Sequence, residues 1–200
     1  MSDLPLSPKH QHILDAARAL FMADGYGKVS MEAIAKQAQV SKATLYAYFP
    51  SKDRLFATIV GDACRSNAMD ESSFPETVTD MRAALFQIGE RLLRFLLLPT
   101  TMAIYRVVVG ESTRFPELGE AFMTAGPQAF CDRFATWLTL QSAAGLLSIP
   151  DAPAAAEQFA AMLRPLRFLR ATLGQAPPEI DDVPTIVNNA TETFLHRYAV

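Results

Sequence analysis

Cysteine and histidine are scarce in this chain, and each shortage excludes something. Cys64 and Cys131 are its only cysteines, too few for a disulfide framework and in keeping with a reducing compartment. Either thiol could sense redox state, or pack as a small hydrophobe. The histidines, His10, His12 and His196, form no Cys/His cluster at metal-ligand spacing, so neither a metal nor a cofactor is expected. Long apolar runs are missing too. The longest, Phe95 to Val109, is broken by Pro99, Thr100, Thr101 and Arg106, and it falls short of the roughly 20 residues that span a bilayer. No membrane partner is expected. The opening Met1-Ser2-Asp3-Leu4 has no basic stretch followed by an apolar one, which predicts no secretory signal and a cytoplasmic protein. Strand pairs, glycine-rich phosphate loops and internal repeats do not stand out either, and no acids or bases recur at a catalytic spacing.

Strong charge of one sign is also lacking, since 18 Lys and Arg face 21 Asp and Glu. The distribution says more than the total. Residues 1–60 hold seven basic against five acidic side chains, and the rest holds 11 against 16. The basic excess therefore sits at the N-terminal end, a weak footprint of nucleic-acid binding.

What the chain does have is helical rhythm with clear punctuation. Ser7-Pro8 opens a first helix, Ile13, Ala16, Ala17, Leu20 and Phe21 recur on one face, and Gly25 ends the run. Ser30 caps a second helix, with Glu32 at its positive end and Ile34, Ala35 and Ala38 facing inward. Gln39-Val40 forms a tight turn, and Ser41 caps a short third helix stopped by Pro50. Ser51 then opens a fourth. Three helices with a short turn between the second and third make a helix-turn-helix.

The third helix is too short to serve a core well, which points to presentation. At about 100° per residue, Leu45 and Phe49 share the inward side. Ala43 and Ala47 point away, flanked by Thr44 and Tyr46. Two small residues on that crest let the helix sit deep in a major groove and meet thymine methyls. Lys42, at its start, lies where recognition helices reach base edges. Lys42, Thr44 and Tyr46 are the expected contacts to bases or adjoining phosphates. Tyr48, Ser51 and Lys52 suit the phosphate backbone, the last two as a helix start with a cation. Ser30 and Ser41 complete the expected DNA-binding set.

From Ile13 to Leu55 the sequence resembles the DNA-binding domain of the TetR/AcrR family of bacterial regulators. The matching residues are Ala16-Ala17, Leu20-Phe21, Gly25-Tyr26, Ser30, Ile34-Ala35, Val40-Ser41, Thr44-Leu45-Tyr46, Tyr48-Phe49, Ser51-Lys52 and Leu55. Two positions depart from the pattern: Gln39 stands where glycine is common, and Tyr48 where histidine is frequent. Phe115-Pro116-Glu117-Leu118 and Ala125-Gly126-Pro127 further resemble the AefR-like regulatory domains of that family.

Beyond Ser51 the pattern predicts helices near 52–69, 76–98, 101–112, 116–124, 127–145, 154–172 and 184–198. Breaks are expected at Ser72-Ser73-Phe74-Pro75, Pro99, Phe115-Pro116, Gly126-Pro127, Ile149-Pro150 and Pro177-Pro178. The fold expected is all-α: a helix-turn-helix domain over 1–51 joined to a larger regulatory and dimerisation domain over 52–200. Phe86, Leu93, Met102, Tyr105, Phe122, Met123, Phe130, Phe134 and Trp137 either pack as core or line an effector cavity. Arg106 would supply such a cavity with polarity, or else pair with Glu111 or snorkel to the surface.

Two late stripes suggest an interface: Phe159, Met162, Leu163, Leu166 and Leu169, then Ile186, Val187, Ala190, Phe194 and Leu195. The resemblance implies that these helices pair in a dimer. Pro165 should kink or divide the first of them. Arg164, Arg167 and Arg170 offer either a solvated face or a second nucleic-acid surface.

Together these readings predict a homodimeric, ligand-responsive regulator that binds a near-palindromic double-stranded DNA operator, and the resemblance implies that it is a repressor. A small, largely apolar effector would release it, acting through the helix at 52–69. Coupling of about 1–3 kcal/mol would change DNA affinity roughly 5- to 150-fold. An activator of the same fold fits the same residues, and an all-helical enzyme using the aromatic cavity is the remaining alternative.

Overall fold

The computed structural model describes residues 8–67, 73–164, 166–175 and 182–200. The elements among them are helices: α1 (Pro8–Asp24), α2 (Met31–Gln37), α3 (Lys42–Tyr48), α4 (Lys52–Ser66), α5 (Met81–Leu96), α6 (Pro99–Glu111), α7 (Pro116–Ala125), α8 (Pro127–Ala143), α9 (Ala152–Met162), α10 (Leu166–Thr172) and α11 (Val183–Tyr198). The only extended pairing among these residues is an isolated antiparallel bridge between Leu147 and Ala199. No single described helix is long and apolar enough to cross a membrane.

Most boundaries follow local chemistry. Proline, whose missing N–H is harmless in a first turn, stands at the first helical position of α1, α6, α7 and α8. The helix expected from residue 76 begins only at Met81. Asp80 is the reason: its carboxylate accepts the Ala83 N–H at 3.0 Å and so caps α5. The helical stretch read over 154–172, with a kink or division expected at Pro165, is two helices, α9 and α10. Pro165 itself lies outside the described residues, as do the Ser7 cap, Ser72 and the Pro177-Pro178 break.

The chain divides into two compact units. One comprises the described residues up to Ala63 with Ala103–Gly126, and the other Cys64–Met102 with Pro127–Val200. A boundary at residue 51 therefore differs from the division that packing makes. The start of α4 is the cause, because Leu55, Phe56 and Ile59 are buried with the first three helices. In this first unit Phe21, Tyr26 and Phe56 form a ring cluster with centroids 5.3–5.8 Å apart.

The second unit is built on α5, α8, α9 and α11, with α11 packed on α5 and α9, and α8 on α9. Its core is a chain of aromatic rings. Phe74 stacks on Phe134 at 5.8 Å, Phe134 meets Phe159 at 5.3 Å, Phe159 meets Phe194 at 5.3 Å, and Phe194 meets Tyr198 at 4.8 Å. Gly89 lets α5 approach closely, since a Cβ there would stand 3.0 Å from Val187 Cγ1 and 3.2 Å from Phe159 Cζ.

This arrangement corrects most of the expected dimer face. Phe159, Leu163, Ala190 and Phe194 are buried within the subunit, where they serve its own core. The stripe of α9 meets α8 and α11, and that of α11 meets α5 and α9. Met162 and Ile186 are half-buried. Leu166 differs: it is 66% exposed, and Leu169 and Leu173 share its face at 52% and 69%.

Candidate nucleic-acid interface

The short helix α3 stands on two buried residues. Leu45 is fully buried and Phe49 nearly so, while Ala43 and Ala47 are exposed. Tyr46 and Tyr48 are exposed beside them. His10 of α1 supports this end, with its ring 4.9 Å from Phe49 and edge-on to Tyr48 at 5.8 Å. The apolar anchor thus sits inside and the small-residue crest outside.

Both serines before these helices act as caps. Ser30 Oγ accepts the Ala33 N–H at 3.1 Å, and Ser41 Oγ accepts the Thr44 N–H at 3.0 Å. The Thr44 hydroxyl is also hydrogen-bonded to Ser41 Oγ at 2.8 Å, which holds Thr44 half-buried against its own cap. The turn between α2 and α3 is closed by Val40 N–H to Ala35 C=O and Gln39 N–H to Lys36 C=O. That pattern requires a left-handed residue, and Gln39 takes it at φ 55°. A side chain there is strained where glycine is comfortable.

Lys52 is placed differently from the expected phosphate contact. Its Nζ donates to the carbonyls of Tyr26 at 2.9 Å and Val29 at 3.0 Å and lies 4.1 Å over the Tyr26 ring. The ammonium turns inward because the loop after α1 leaves carbonyls that need a donor. Burial lowers the Lys52 pKa and raises that of the Tyr26 phenol. Ser51, just before α4, is half-buried.

Glu111, at the end of α6, completes that loop and was not singled out from sequence as part of the DNA-reading unit. One carboxylate oxygen accepts the Tyr26 N–H at 2.6 Å and the other the Gly27 N–H at 2.5 Å. Phe115 packs on Tyr26 at 5.5 Å. A larger residue at Gly27 would have to displace this packing, since a Cβ there would lie 2.7 Å from the Phe115 ring and 2.8 Å from Glu111 Oε2. Glu111, considered above as a partner for Arg106, thus accepts from two backbone amides. No signal in the sequence joins positions 85 apart; only the fold does.

The expected effector residues fall in both units. Phe86, Leu93, Met102, Phe130, Phe134 and Trp137 belong to the second; Tyr105, Arg106, Phe122 and Met123 belong to the first. Phe130, Phe134 and Trp137 join the aromatic core, and Trp137 Nε1–H donates to the Pro75 carbonyl at 2.9 Å. Leu93 and Met102 are buried, and Phe86 is half-buried. Tyr105 meets Phe122 at 6.0 Å. Arg106 and Met123 are exposed, so helical phase turns Arg106 outward and it does not supply polarity to an enclosed site. Burial raises both cysteine pKa values, against the thiolate character a sensor needs. Among the described residues no group of His, Cys, Asp and Glu could hold a metal.

The sequence pattern described as "Bacterial regulatory proteins, tetR family" matches residues 13–59, and that of the "AefR-like transcriptional repressor, C-terminal domain" matches 83–200. The chain belongs to the TetR family. Its members regulate transcription and are not enzymes, and the chain is accordingly a DNA-binding transcriptional regulator. A TetR-family regulator from Mesorhizobium loti superposes with TM-score 0.83 at 27% identity, over 99% of this chain and 100% of that one. The flavonoid-responsive regulator FrrA gives TM-score 0.77 at 34% identity, over 96% and 97%. The transcriptional repressor KstR of Mycobacterium tuberculosis is 35% identical over 83 residues, which is 41% of this chain and 38% of that protein. Membership makes α2 and α3 its helix-turn-helix.

Proposed function

We propose that this TetR-family regulator is a cytoplasmic homodimeric repressor that places one α3 per subunit in the major groove of a near-palindromic operator. The observation that carries the reading is the exposed Ala43–Ala47 crest backed by buried Leu45 and Phe49. A helix this shallow admits base edges, and thymine methyls fit its alanines. Tyr46 and Thr44 flank the crest as base or sugar contacts, while Tyr48 serves the phosphates. The capped starts of α2 and α3, at Ser30 and Ser41, direct free amides outward. Lys42 reaches the same surface, and Ser51 and Lys52 sit behind it. Repression is supported by the AefR-like repressor character of residues 83–200.

The dimer contact is assigned to the exposed Leu166, Leu169 and Leu173 of α10 and its end, with Met162 and Ile186 at its margin. A small, largely apolar effector releases the protein from DNA. The relative named for its flavonoid response makes flavonoids the first probes to try, with Phe86, Leu93 and Met102 as the side chains to mutate. Glu111 and Phe115 support the coupling, because they tie the end of α6 and the start of α7 to the loop that leads into α2.

The test is selection of bound sequences from random duplex DNA by the full chain. A two-fold symmetric site should emerge, and Ala47→Glu should weaken binding to it by roughly tenfold or more without changing the fold. Recovery of no preferred sequence, or unaltered affinity in Ala47→Glu, overturns the reading.

A further inference from the structure

The start of α3 carries its cation already paired. Lys42 Nζ meets Glu32 Oε1, and the two side chains remain 59% and 53% exposed. Glu32 lies in the first turn of α2, just beyond the Ser30 cap. A carboxylate thus stands on the surface that presents Lys42. The hydrogen bond between them holds the Glu32 carboxyl below its usual range and the Lys42 ammonium above its own, so both are charged at neutral pH.

Positive charge is in small excess over this part of the chain, and some of it is engaged elsewhere. Of the seven basic side chains in residues 1–60, Arg18 is engaged with Asp62 at 3.2 Å and Lys52 with two carbonyls. Five acidic residues oppose those seven, so one carboxylate on the reading surface changes its balance appreciably. Exposed ion pairs bind their partners weakly, and a phosphate can compete for Lys42. The exchange then leaves Glu32 facing the phosphates. The counterion that Lys42 frees from DNA is offset by the cation that Glu32 recruits, and the pair adds nothing to the dependence on salt.

We propose that Glu32 is a specificity-determining residue: by holding Lys42 as a neutral pair at the start of α3, it suppresses adhesion to DNA that α3 does not match. On a matched site, base contacts outweigh the disturbed pair. On other sequences nothing does. The inference rests on α3 being the reading helix.

Glu32→Gln in the full-length chain tests it, using a random-sequence duplex and the selected operator across a salt series. Binding to the random duplex should tighten about three- to tenfold at 0.1 M salt, with a slope of log K against log salt steeper by about 0.9. Operator affinity should rise less, narrowing the ratio between the two. Adding Lys42→Ala to Glu32→Gln should return the slope to that of the parent. Parent-like affinity and slope in Glu32→Gln overturn the proposal. The same gain with Lys42→Ala present also overturns it, since Glu32 then acts by its own charge. Failure of the underlying reading is separable: Ala47→Glu would then leave both duplexes bound as by the parent. A melting curve checks that each variant folds, which an isosteric change at an exposed first-turn position permits.

Discussion

Lys52 shows how one side chain can be read correctly for charge and wrongly for direction. A cation at a helix start is a sound phosphate contact in isolation. Here two of its three N–H groups meet the Tyr26 and Val29 carbonyls, and its charge lies over the Tyr26 ring. Lys52→Ala should therefore lower stability, by about 1–2 kcal/mol given partial exposure. Chemical denaturation measures the loss, and a salt titration of DNA binding should keep the parent slope. A flattened slope at unchanged stability would restore the phosphate role. Gln39 is the opposite case: a departure visible in the sequence marks the strained turn that the structure contains.

At the scale of elements, the loop between α1 and α2 is held from two sides. Lys52 satisfies its carbonyls, and Glu111 satisfies its amides. Each is a charge-assisted bond, stronger than a neutral one. Glu111→Gln replaces one acceptor by a donor that faces an N–H. It should cost about 1–3 kcal/mol and speed hydrogen exchange at the Tyr26 and Gly27 amides. Unchanged protection of those amides would show that the loop holds itself. The short α3 depends on such support, because its seven residues are too few to persist alone.

At the scale of the whole molecule, the apolar stripes of α9 and α11 and the exposed leucines of α10 separate into two roles. Phe159 is fully buried among Phe134, Phe194 and the α5 backbone at Gly89. Phe159→Ala should destabilise the subunit by roughly 3–5 kcal/mol. Leu166→Arg on the exposed stripe should leave the melting temperature nearly alone and shift a dimer toward monomer in sedimentation equilibrium. A dimer that survives Leu166→Arg would place the contact elsewhere. Assigning Phe159, Leu163, Ala190 and Phe194 to an interface failed because a stripe records only that a face is buried, not by what.

The local parts were legible one residue at a time. Ser30 and Ser41 as caps, Gly25 as a stop, the prolines that open helices, and the inward phase of Leu45 and Phe49 all follow from short-range chemistry, which needs no partner distant in sequence. The Asp80 cap is equally local. Tertiary structure decided everything that depends on which surfaces meet: the inward turn of Lys52, the grip of Glu111 on a loop far back in the chain, the pairing of Lys42 with Glu32, and the role of Phe159. A helix's periodicity tells which of its faces leaves water, but only close packing between distant segments chooses what replaces that water.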